Sequence, residues 1–177
     1  MRMKGKAAIV TGAGKGIGQA IAHRYVQEGA RVMLTDIEAT PVSEVAESLD
    51  MPYYVGDVSL KPEVDRMVAQ TVKEFGRLDV MVANAGAYSK LVQFIDVEEK
   101  DFDDVIRTNL KSQFLCGQAA ARQMILQDDG GAICFPERRC DARENPKRSP
   151  VSQSSWQLMT VHISRARRFI LMAVEWA

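Results

Sequence analysis

The sequence contains few cysteines, carries no net charge and has no long apolar run. Its three cysteines, Cys116, Cys134 and Cys140, form no Cys-x-x-Cys pair and are too few for a disulfide framework, which favours a reducing compartment. Lys and Arg number 23, as do Asp and Glu, so the charge balance gives no argument for nucleic acid, a membrane surface or an acidic partner. No apolar run approaches the roughly 18 residues of a membrane span, and no secretory signal opens the chain. We therefore expect a globular cytoplasmic protein with no nucleic-acid or membrane partner.

Glycine is absent after Gly131, and this absence separates the chain into unlike parts. At an average usage of about 7%, the last 46 residues should hold roughly three glycines, which turns need for positive φ. Residues 135–168 instead hold eight basic against three acidic side chains, three of the six prolines and no clear period. Residues 1–134 hold 15 basic and 19 acidic side chains. The neutral total is thus a cancellation between a mildly acidic part and a basic segment.

Residues 1–134 alternate short apolar runs with helical patterns. Strands are predicted over 7–11, 31–35, 53–55 and 78–83, with a fifth beginning at Gly131. Helices are predicted over 16–28, 41–49, 64–75 and 101–127. This alternation predicts an α/β fold, a Rossmann-like doubly wound parallel sheet with helices on both faces.

Four glycines, Gly12, Gly14, Gly16 and Gly18, lie between the first predicted strand and the first predicted helix. There they let the chain turn sharply and let the backbone approach a pyrophosphate, whose charge the helix amides would hold. The alternative is a glycine-rich surface turn. Asp36 favours the first interpretation, because it ends the second strand 18 residues after Gly18, where a carboxylate can accept both hydroxyls of an adenosine ribose. An Asp at a strand end is otherwise commonly a turn residue.

Four segments together resemble the short-chain dehydrogenase/reductase family. They are Thr-Gly-x-x-x-Gly-x-Gly from Thr11, Asp57-Val58, Asn84-Ala85-Gly86 and Asn109-Leu110, in family order and within residues 3 to 134. The resemblance implies the strand order 3-2-1-4-5, with the family's later strands absent and the fifth strand left as an open edge unless the tail covers it. It also implies a cofactor site made of Gly12, Gly14, Lys15, Gly16, Ile17, Gly18, Asp36, Ile37, Asp57, Val58, Asn84, Ala85 and Gly86.

The resemblance assigns different parts of a dinucleotide to these residues. The glycine loop and Ile17 line the phosphates, Asp57 and Val58 lie by the adenine, and residues 84–86 flank the nicotinamide half. At Asn84 a turn that only braces the sheet would look identical, and both roles can hold. The intact family transfers a hydride between a nicotinamide cofactor and an alcohol or carbonyl of a small molecule, and homo-oligomers are expected of it.

Asp36 and Lys15 favour different cofactors, NAD and NADP. Asp36 favours NAD, because a 2′-phosphate would meet a carboxylate, and like charges about 4 Å apart cost from one to several kcal/mol. Lys15 favours NADP, because a basic residue before the second glycine of the motif often accompanies that cofactor in the family. The alternative for Lys15 is a solvated loop charge. We expect NAD, with NADP less favoured.

The family's catalytic residues are an Asn, a Ser and a Tyr-x-x-x-Lys, and only the Asn has a match here, at Asn109. The four tyrosines of the chain all come too early, at Tyr25, Tyr53, Tyr54 and Tyr88. Ser154 and Ser155 lie in surroundings unlike the family's and are not assigned. We therefore expect an oxidoreductase chain that is impaired or inactive as written. The alternative is a non-catalytic fragment that binds a dinucleotide or joins an oligomer.

The missing residues lead to a hypothesis about residues 135–171. We divide the chain into an NAD(P)-binding domain over 1–134, an Arg-rich segment over 135–171, and a remnant over 172–177 that resembles the family's helix after the catalytic Lys. In this hypothesis the middle segment is translated out of frame between two compensating frame changes, and the family's Ser, Tyr and Lys are lost with it. Read from the last base of the His162 codon, suitable codons give Tyr-Leu-Ala-Ser-Lys-Ala-Val, and the first shifted codon can only encode Tyr or His.

The rival explanation is an Arg-rich insert that evolved to bind an anion. Its eight basic residues have Trp156 as their interleaved aromatic, which would give non-specific phosphate attraction at best. His162 has no second ligand pair nearby in the sequence, so no metal site is expected. The missing glycines and the absent periodicity favour the frame explanation.

Overall fold

A computed structural model describes residues 1–88, 92–138, 156–163 and 169–175. The strands are β1 (Ala7–Thr11), β2 (Arg31–Asp36), β3 (Tyr53–Val55), β4 (Val80–Val82), β5 (Gly131–Arg138), β6 (Trp156–Ile163) and β7 (Phe169–Glu175). The helices are α1 (Gly16–Gln27), α2 (Ala39–Leu49), α3 (Lys61–Phe75), α4 (Glu99–Val105) and α5 (Ser112–Leu126). A 3₁₀ turn covers Phe94–Asp96, and a π-helical segment over Ile106–Lys111 joins α4 to α5.

The strands form one sheet in the order β3-β2-β1-β4-β5-β6-β7. The first five strands of this order are parallel to one another, so the predicted doubly wound order 3-2-1-4-5 is confirmed. Parallel strands joined by crossover helices place all their carboxyl ends at one edge of the sheet, where ligand sites of this architecture lie. The loops that follow β1, β2, β3 and β4 therefore meet at that edge.

The tail covers the fifth strand, which is the exception attached to the expectation of an open edge. β6 runs antiparallel along it, from Gly131 opposite Ile163 to Arg138 opposite Trp156, and β7 pairs with β6 in turn. Residues 172–175 of the remnant that resembles a family helix lie instead in β7. A short apolar run fits a buried strand as well as a buried helix, and here pairing with β6 decides between them.

Two apolar layers sandwich the sheet, and alternate strand residues feed each of them. Ile9, Met33 and Met81 face the layer covered by α3 and α5. Ala8 and Leu34 face the opposite layer, which α1 and α2 cover. This alternation fixes each strand's register, so the positions of the loop residues at the carboxyl edge follow from the core.

The described helices include none with the length and apolarity that a membrane crossing requires. Within the same residues, no group of three or more His, Cys, Asp or Glu side chains is arranged to hold a metal ion. Cys116 and Cys134 are buried and form no disulfide within the described residues, and burial raises the pKa of Cys116 to about 12.

Candidate functional site

The glycine loop after β1 packs so closely that two of its glycines leave no room for a side chain. Gly12 has a φ of +64°, and a Cβ there would lie 3.1 Å from the Cα of Ala85. A Cβ on Gly18 would lie 2.0 Å from the carbonyl oxygen of Gly12 and 2.6 Å from Asn84 Nδ2. The first turn of α1 can therefore lie against the loop only because Gly18 has no side chain.

The start of α1 has no side-chain cap. Its N-cap residue is Lys15, whose side chain makes no capping hydrogen bond, and the first turn contains no acidic residue. Gly16 has a φ of +60° and open space around the position of a Cβ. The first-turn amides and the positive end of the helix dipole thus lie beside a loop without bulk, which is the arrangement that binds phosphate.

Asp36 lies at the end of β2 and holds the glycine loop in place. Its Oδ2 accepts a hydrogen bond of 2.9 Å from the backbone amide of Gly14, and its Oδ1 accepts one of 3.2 Å from the amide of Glu38. A Cβ on Gly14 would approach Asp36 Oδ2 to 3.0 Å. The carboxylate is therefore fixed beside the loop, with lone pairs left for other donors.

Lys15 of the glycine loop forms an ion pair with Glu38, two residues after Asp36. Its Nζ donates to Glu38 Oε1 at 2.7 Å, and both side chains are exposed. The hydrogen bond to Glu38 and the charge of Glu38 raise the pKa of Lys15, with a smaller contribution from Asp36. Ile37, between the two carboxylates, is 64% exposed.

The turn after β4 is fastened to the end of β1. The buried hydroxyl of Thr11 accepts hydrogen bonds from the backbone amides of Asn84, at 3.0 Å, and Ala85, at 2.9 Å. The Asn84 side chain donates back to the carbonyl oxygen of Thr11 at 2.9 Å and to that of Gly12 at 3.4 Å. Asn84 therefore braces the two loops, which is one of the two roles predicted for it.

Asn109 lies in the π-helical segment and holds the chain that follows Gly86. Its Oδ1 accepts a hydrogen bond of 2.7 Å from the amide of Ala87, and its Nδ2 donates to the carbonyl oxygen of Ala87 at 2.8 Å. A Cβ on Gly86 would lie 3.2 Å from Asn109 Oδ1. π-Helical turns inside α-helices often occur at functional sites, and this one aims the Asn109 side chain at the loop.

Asp57 follows β3 and is linked to the same π-helical segment. Its Oδ1 accepts from the amide of Ser59 at 2.9 Å, and its Oδ2 lies 3.2 Å from Arg107 Nη1, which also donates to Ser59 Oγ at 2.9 Å. Burial acts to raise the pKa of Asp57, but the hydrogen bonds from Ser59 and the charge of Arg107 outweigh it and lower the pKa. Val58 beside it is buried.

The structure joins most of the predicted site residues in three contact sets. The first links Gly12 and Gly18 to the turn at 84–85, the second links Gly14 and Lys15 to the end of β2, and the third links Gly86 to Asn109. Asp57 joins the last set through the π-helical segment. Ile17 is half-buried in the first turn of α1, and Ile37 is exposed without a described polar role.

Sequence reasoning missed three residues that hold these sets together, Thr11, Glu38 and Arg107. Thr11 opens the glycine motif, and Arg107 comes two residues before Asn109, so their positions in the motifs were available signals. Glu38 belongs to no motif. Its role depends on a side chain reaching across from the turn after β2, which spacing does not indicate.

All four tyrosines lie within the described residues. Tyr25 is buried on α1, and burial raises its pKa, with a smaller contribution from Cys134. Tyr54 donates to Glu63 Oε2 at 2.6 Å, while Tyr53 and Tyr88 are exposed. Ser154 and Ser155 lie outside the described residues.

Comparisons with known proteins agree on one family. A family model described as short chain dehydrogenase matches residues 6–135. A short-chain dehydrogenase/reductase of Armillaria gallica is 41% identical over 137 residues, which cover 73% of this chain and 52% of that protein. The (2S)-[(R)-hydroxy(phenyl)methyl]succinyl-CoA dehydrogenase subunit BbsD of Thauera aromatica is 33% identical over 143 residues, which cover 78% of this chain and 57% of that protein.

Solved structures give the same result. A short-chain type dehydrogenase/reductase from Mycobacterium marinum superposes with a TM-score of 0.72 at 32% identity, covering 75% of this chain and 56% of that one. A 3-ketoacyl-(acyl-carrier-protein) reductase from Brucella melitensis, complexed with NADH, gives 0.69 at 28% identity, covering 71% and 52%. The chain thus spans about half the length of the relatives that it matches.

Proposed function

Because the chain belongs to the short-chain dehydrogenase family, we propose that the loops at the carboxyl edge of its sheet bind NAD(H) and that its ancestral activity is hydride transfer. One observation carries the proposal. The uncapped start of α1, held against the loop by a glycine that tolerates no Cβ, lies next to a fixed carboxylate at the end of β2. This set of donors and acceptors fits the pyrophosphate and the adenosine ribose of a dinucleotide.

Each part of the cofactor has proposed residues. The amides from Gly12 to Gly18, with Lys15 and Ile17, would hold the phosphates, and Asp36 with Ile37 would lie at the ribose. Asp57 and Val58 would lie by the adenine, while Asn84, Ala85 and Gly86 would flank the nicotinamide. When bound, NAD(H) supplies the hydride chemistry. The protein's own residues orient the two rings and keep the loops in place.

NAD is proposed over NADP for an electrostatic reason. Asp36 and Glu38 both lie where the adenosine ribose is proposed to bind. Lys15, the lysine beside them, is paired with Glu38. A 2′-phosphate would bring a further charge of about −1.5 to −2 to this position. The similar reductase structure from Brucella melitensis, which is complexed with NADH, is consistent with this choice.

We propose that catalysis by this chain is impaired. Asn109 is the one catalytic residue of the family pattern that this chain matches, and it bonds to Ala87. Loss of a general acid typically costs about 10² to 10⁴ in rate, and here the family's Ser and Lys have no match either. A small-molecule alcohol or carbonyl, a homo-oligomeric assembly and a cytoplasmic location are proposed for the intact family protein.

The division at residue 134 and the frame hypothesis remain proposals that the coding DNA tests directly. Translation out of frame requires the His162 codon to end in T, so that the shifted codon encodes Tyr. It also requires the Ala166 codon to end in A, so that a Lys codon follows four residues later. A His162 codon that ends in C, or an Ala166 codon that ends in any base other than A, would overturn the frame hypothesis.

Fluorescence and turnover together test the proposed function. NADH fluorescence on mixing with the purified chain measures binding, and absorbance at 340 nm with a panel of ketones and sugars measures turnover. We expect saturable binding and little or no turnover. Robust turnover would overturn the proposed impairment, and the absence of binding by a folded chain would overturn the cofactor site.

A further inference from the structure

Glu38 contacts both Asp36, which favours NAD, and Lys15, which by itself would favour NADP. Its side chain holds Lys15 Nζ at 2.7 Å, and its backbone amide donates to Asp36 Oδ1 at 3.2 Å. Asp36 in turn holds the amide of Gly14, which directly precedes Lys15 in the chain, at 2.9 Å. Gly14 is thus held by a carboxylate at the end of β2, and the adjacent Lys15 by one from the turn after it.

We propose that Glu38 is a specificity-determining residue that favours NAD(H) over NADP(H) by pairing with Lys15. The inference rests on the proposed dinucleotide site. An unpaired lysine at the start of α1 would attract a 2′-phosphate, whereas here its charge is already met by a carboxylate. In this chain the Lys15 ammonium is therefore a partner of Glu38 and not a ligand for a 2′-phosphate.

The charges of Asp36, Glu38 and Lys15 also favour NAD(H) over NADP(H). Two carboxylates and one ammonium leave a net charge of −1, and the side chains of Lys15 and Glu38 are 72% and 53% exposed. Replacing Glu38 by Gln would bring this local charge to zero and release Lys15 toward an incoming phosphate. At such exposure an effect of about fivefold to tenfold on affinity is expected, because water screens the interaction.

The pairing also has a structural support that does not depend on charge. The Asp36 carboxylate bridges the two segments, because it accepts one hydrogen bond from the amide of Gly14 in the loop and another from the amide of Glu38 in the turn after β2. Lys15 is consequently presented toward the end of α2 that carries Glu38. The raised pKa of Lys15, caused first by its hydrogen bond to Glu38, is consistent with a stable pair.

A binding comparison tests the proposal. The dissociation constants of NADH and NADPH would be measured by fluorescence, at low ionic strength, for the wild type, Glu38→Gln, Lys15→Met and the double variant. Glu47→Gln, an exposed carboxylate further along α2, is the matched control for the change in net charge. The readout is the ratio of the NADPH and NADH constants, which a loss of folded protein does not alter.

We expect Glu38→Gln to shift this ratio about fivefold to tenfold toward NADPH, and Glu47→Gln to leave it unchanged. In the Lys15→Met background the same change should have a clearly smaller effect, and added salt should reduce the shift. An unchanged ratio in Glu38→Gln, or an equal shift without Lys15, would overturn the pairing. Failure of every variant and the wild type to bind NADH would instead overturn the cofactor site and this inference with it.

Discussion

The two ends of the sheet use buried and half-buried carboxylates in different ways. At the amino end, Asp79 is 4% exposed and accepts hydrogen bonds from Lys6 Nζ, the amide of Ala7, and Nε and Nη2 of Arg77, at 3.1, 2.9, 2.9 and 2.7 Å. Arg77 also pairs with Asp129 at 2.9 Å. This end of the sheet is fastened by charges that satisfy one another.

At the carboxyl end, Asp36 accepts hydrogen bonds from backbone amides of two loops, and the start of α1 has no side-chain cap. Glycines replace side chains where the loops approach one another. The amino end therefore carries mutually paired charges, whereas the carboxyl end has the room and the donors that the proposed dinucleotide site needs. Changes at the amino end should alter the free energy of unfolding, while changes at the carboxyl end should alter binding.

The largest expected effect is that of Asp79→Ala on stability. The change leaves the buried amide of Ala7 and two cationic side chains without their shared acceptor, and breaking a buried pair in this way costs about 3 kcal/mol or more of unfolding free energy. Urea denaturation measures it. The control is Asp65→Ala, which removes an exposed partner of Lys61 and should cost about 0 to 1 kcal/mol. Equal costs for the two variants would contradict the comparison.

Among substitutions of glycine by alanine, Gly18→Ala should lower NADH affinity the most. The new Cβ would lie 2.0 Å from the carbonyl oxygen of Gly12, so the loop and α1 must move apart. We expect NADH affinity to fall at least about tenfold, since a displaced helix start no longer aims its amides at the phosphate. Gly117→Ala in α5 is the control: its Cβ meets the end of the Phe135 ring at 3.3 Å, and NADH affinity should stay unchanged. Similar losses in both variants would place the effect in general stability.

Arg107→Met should have a smaller effect on the same measurement. The change removes the guanidinium contacts to Asp57 and Ser59 that link the loop after β3 to the π-helical segment. Because Arg107 is partly exposed, a loss of about threefold in NADH affinity is expected. Arg122→Met on the exposed side of α5 should change nothing. An unchanged affinity for Arg107→Met would remove the proposed support of the adenine loop.

The smallest effect is a change in acid stability. Burial acts to raise the pKa of Asp79, but hydrogen bonds from Ala7, Arg77 and Lys6 outweigh it and lower the pKa. Since the folded pKa lies below the unfolded value of about 3.9, this carboxylate stabilises the fold above that value, and the contribution is lost as pH falls through the folded pKa. Unfolding free energy measured from pH 5 to 3 should fall more steeply for the wild type than for Asp79→Asn. Parallel profiles would contradict this.

The sequence predicted the strands best where apolar runs stop at turn residues. β1 and β3 have the predicted bounds, and the glycine spacing indicated the loop that Gly12 and Gly18 form. The π-helical segment was not predicted, because one inserted residue hardly disturbs the apolar period of a long helix and 101–127 was read as one helix. Residues 172–177 were expected to be helical from the family resemblance, and their short apolar run carries no period that would have indicated the strand found over 172–175.

For the site, spacing indicated which residues lie at the carboxyl edge but not their partners. Asp36 and Asn109 were identified from motif positions, whereas their contacts with Gly14 and Ala87 depend on how loops approach in space. Glu38 shows the limit most clearly, because its side chain reaches Lys15 from a position that belongs to no motif. Side-chain pairs across two turns cannot be predicted from local pattern.

The most direct test of the account is a titration of NADH into the wild-type chain, followed by NADH fluorescence and with competition by ADP-ribose. Circular dichroism on the same sample would establish that the chain is folded. The account predicts saturable binding of one NADH per chain, displaced by ADP-ribose because both share the phosphate and ribose positions at Gly18 and Asp36. A folded chain that shows no saturable binding, or binding that ADP-ribose leaves intact, would contradict the central claim that the carboxyl edge of the sheet is a dinucleotide site.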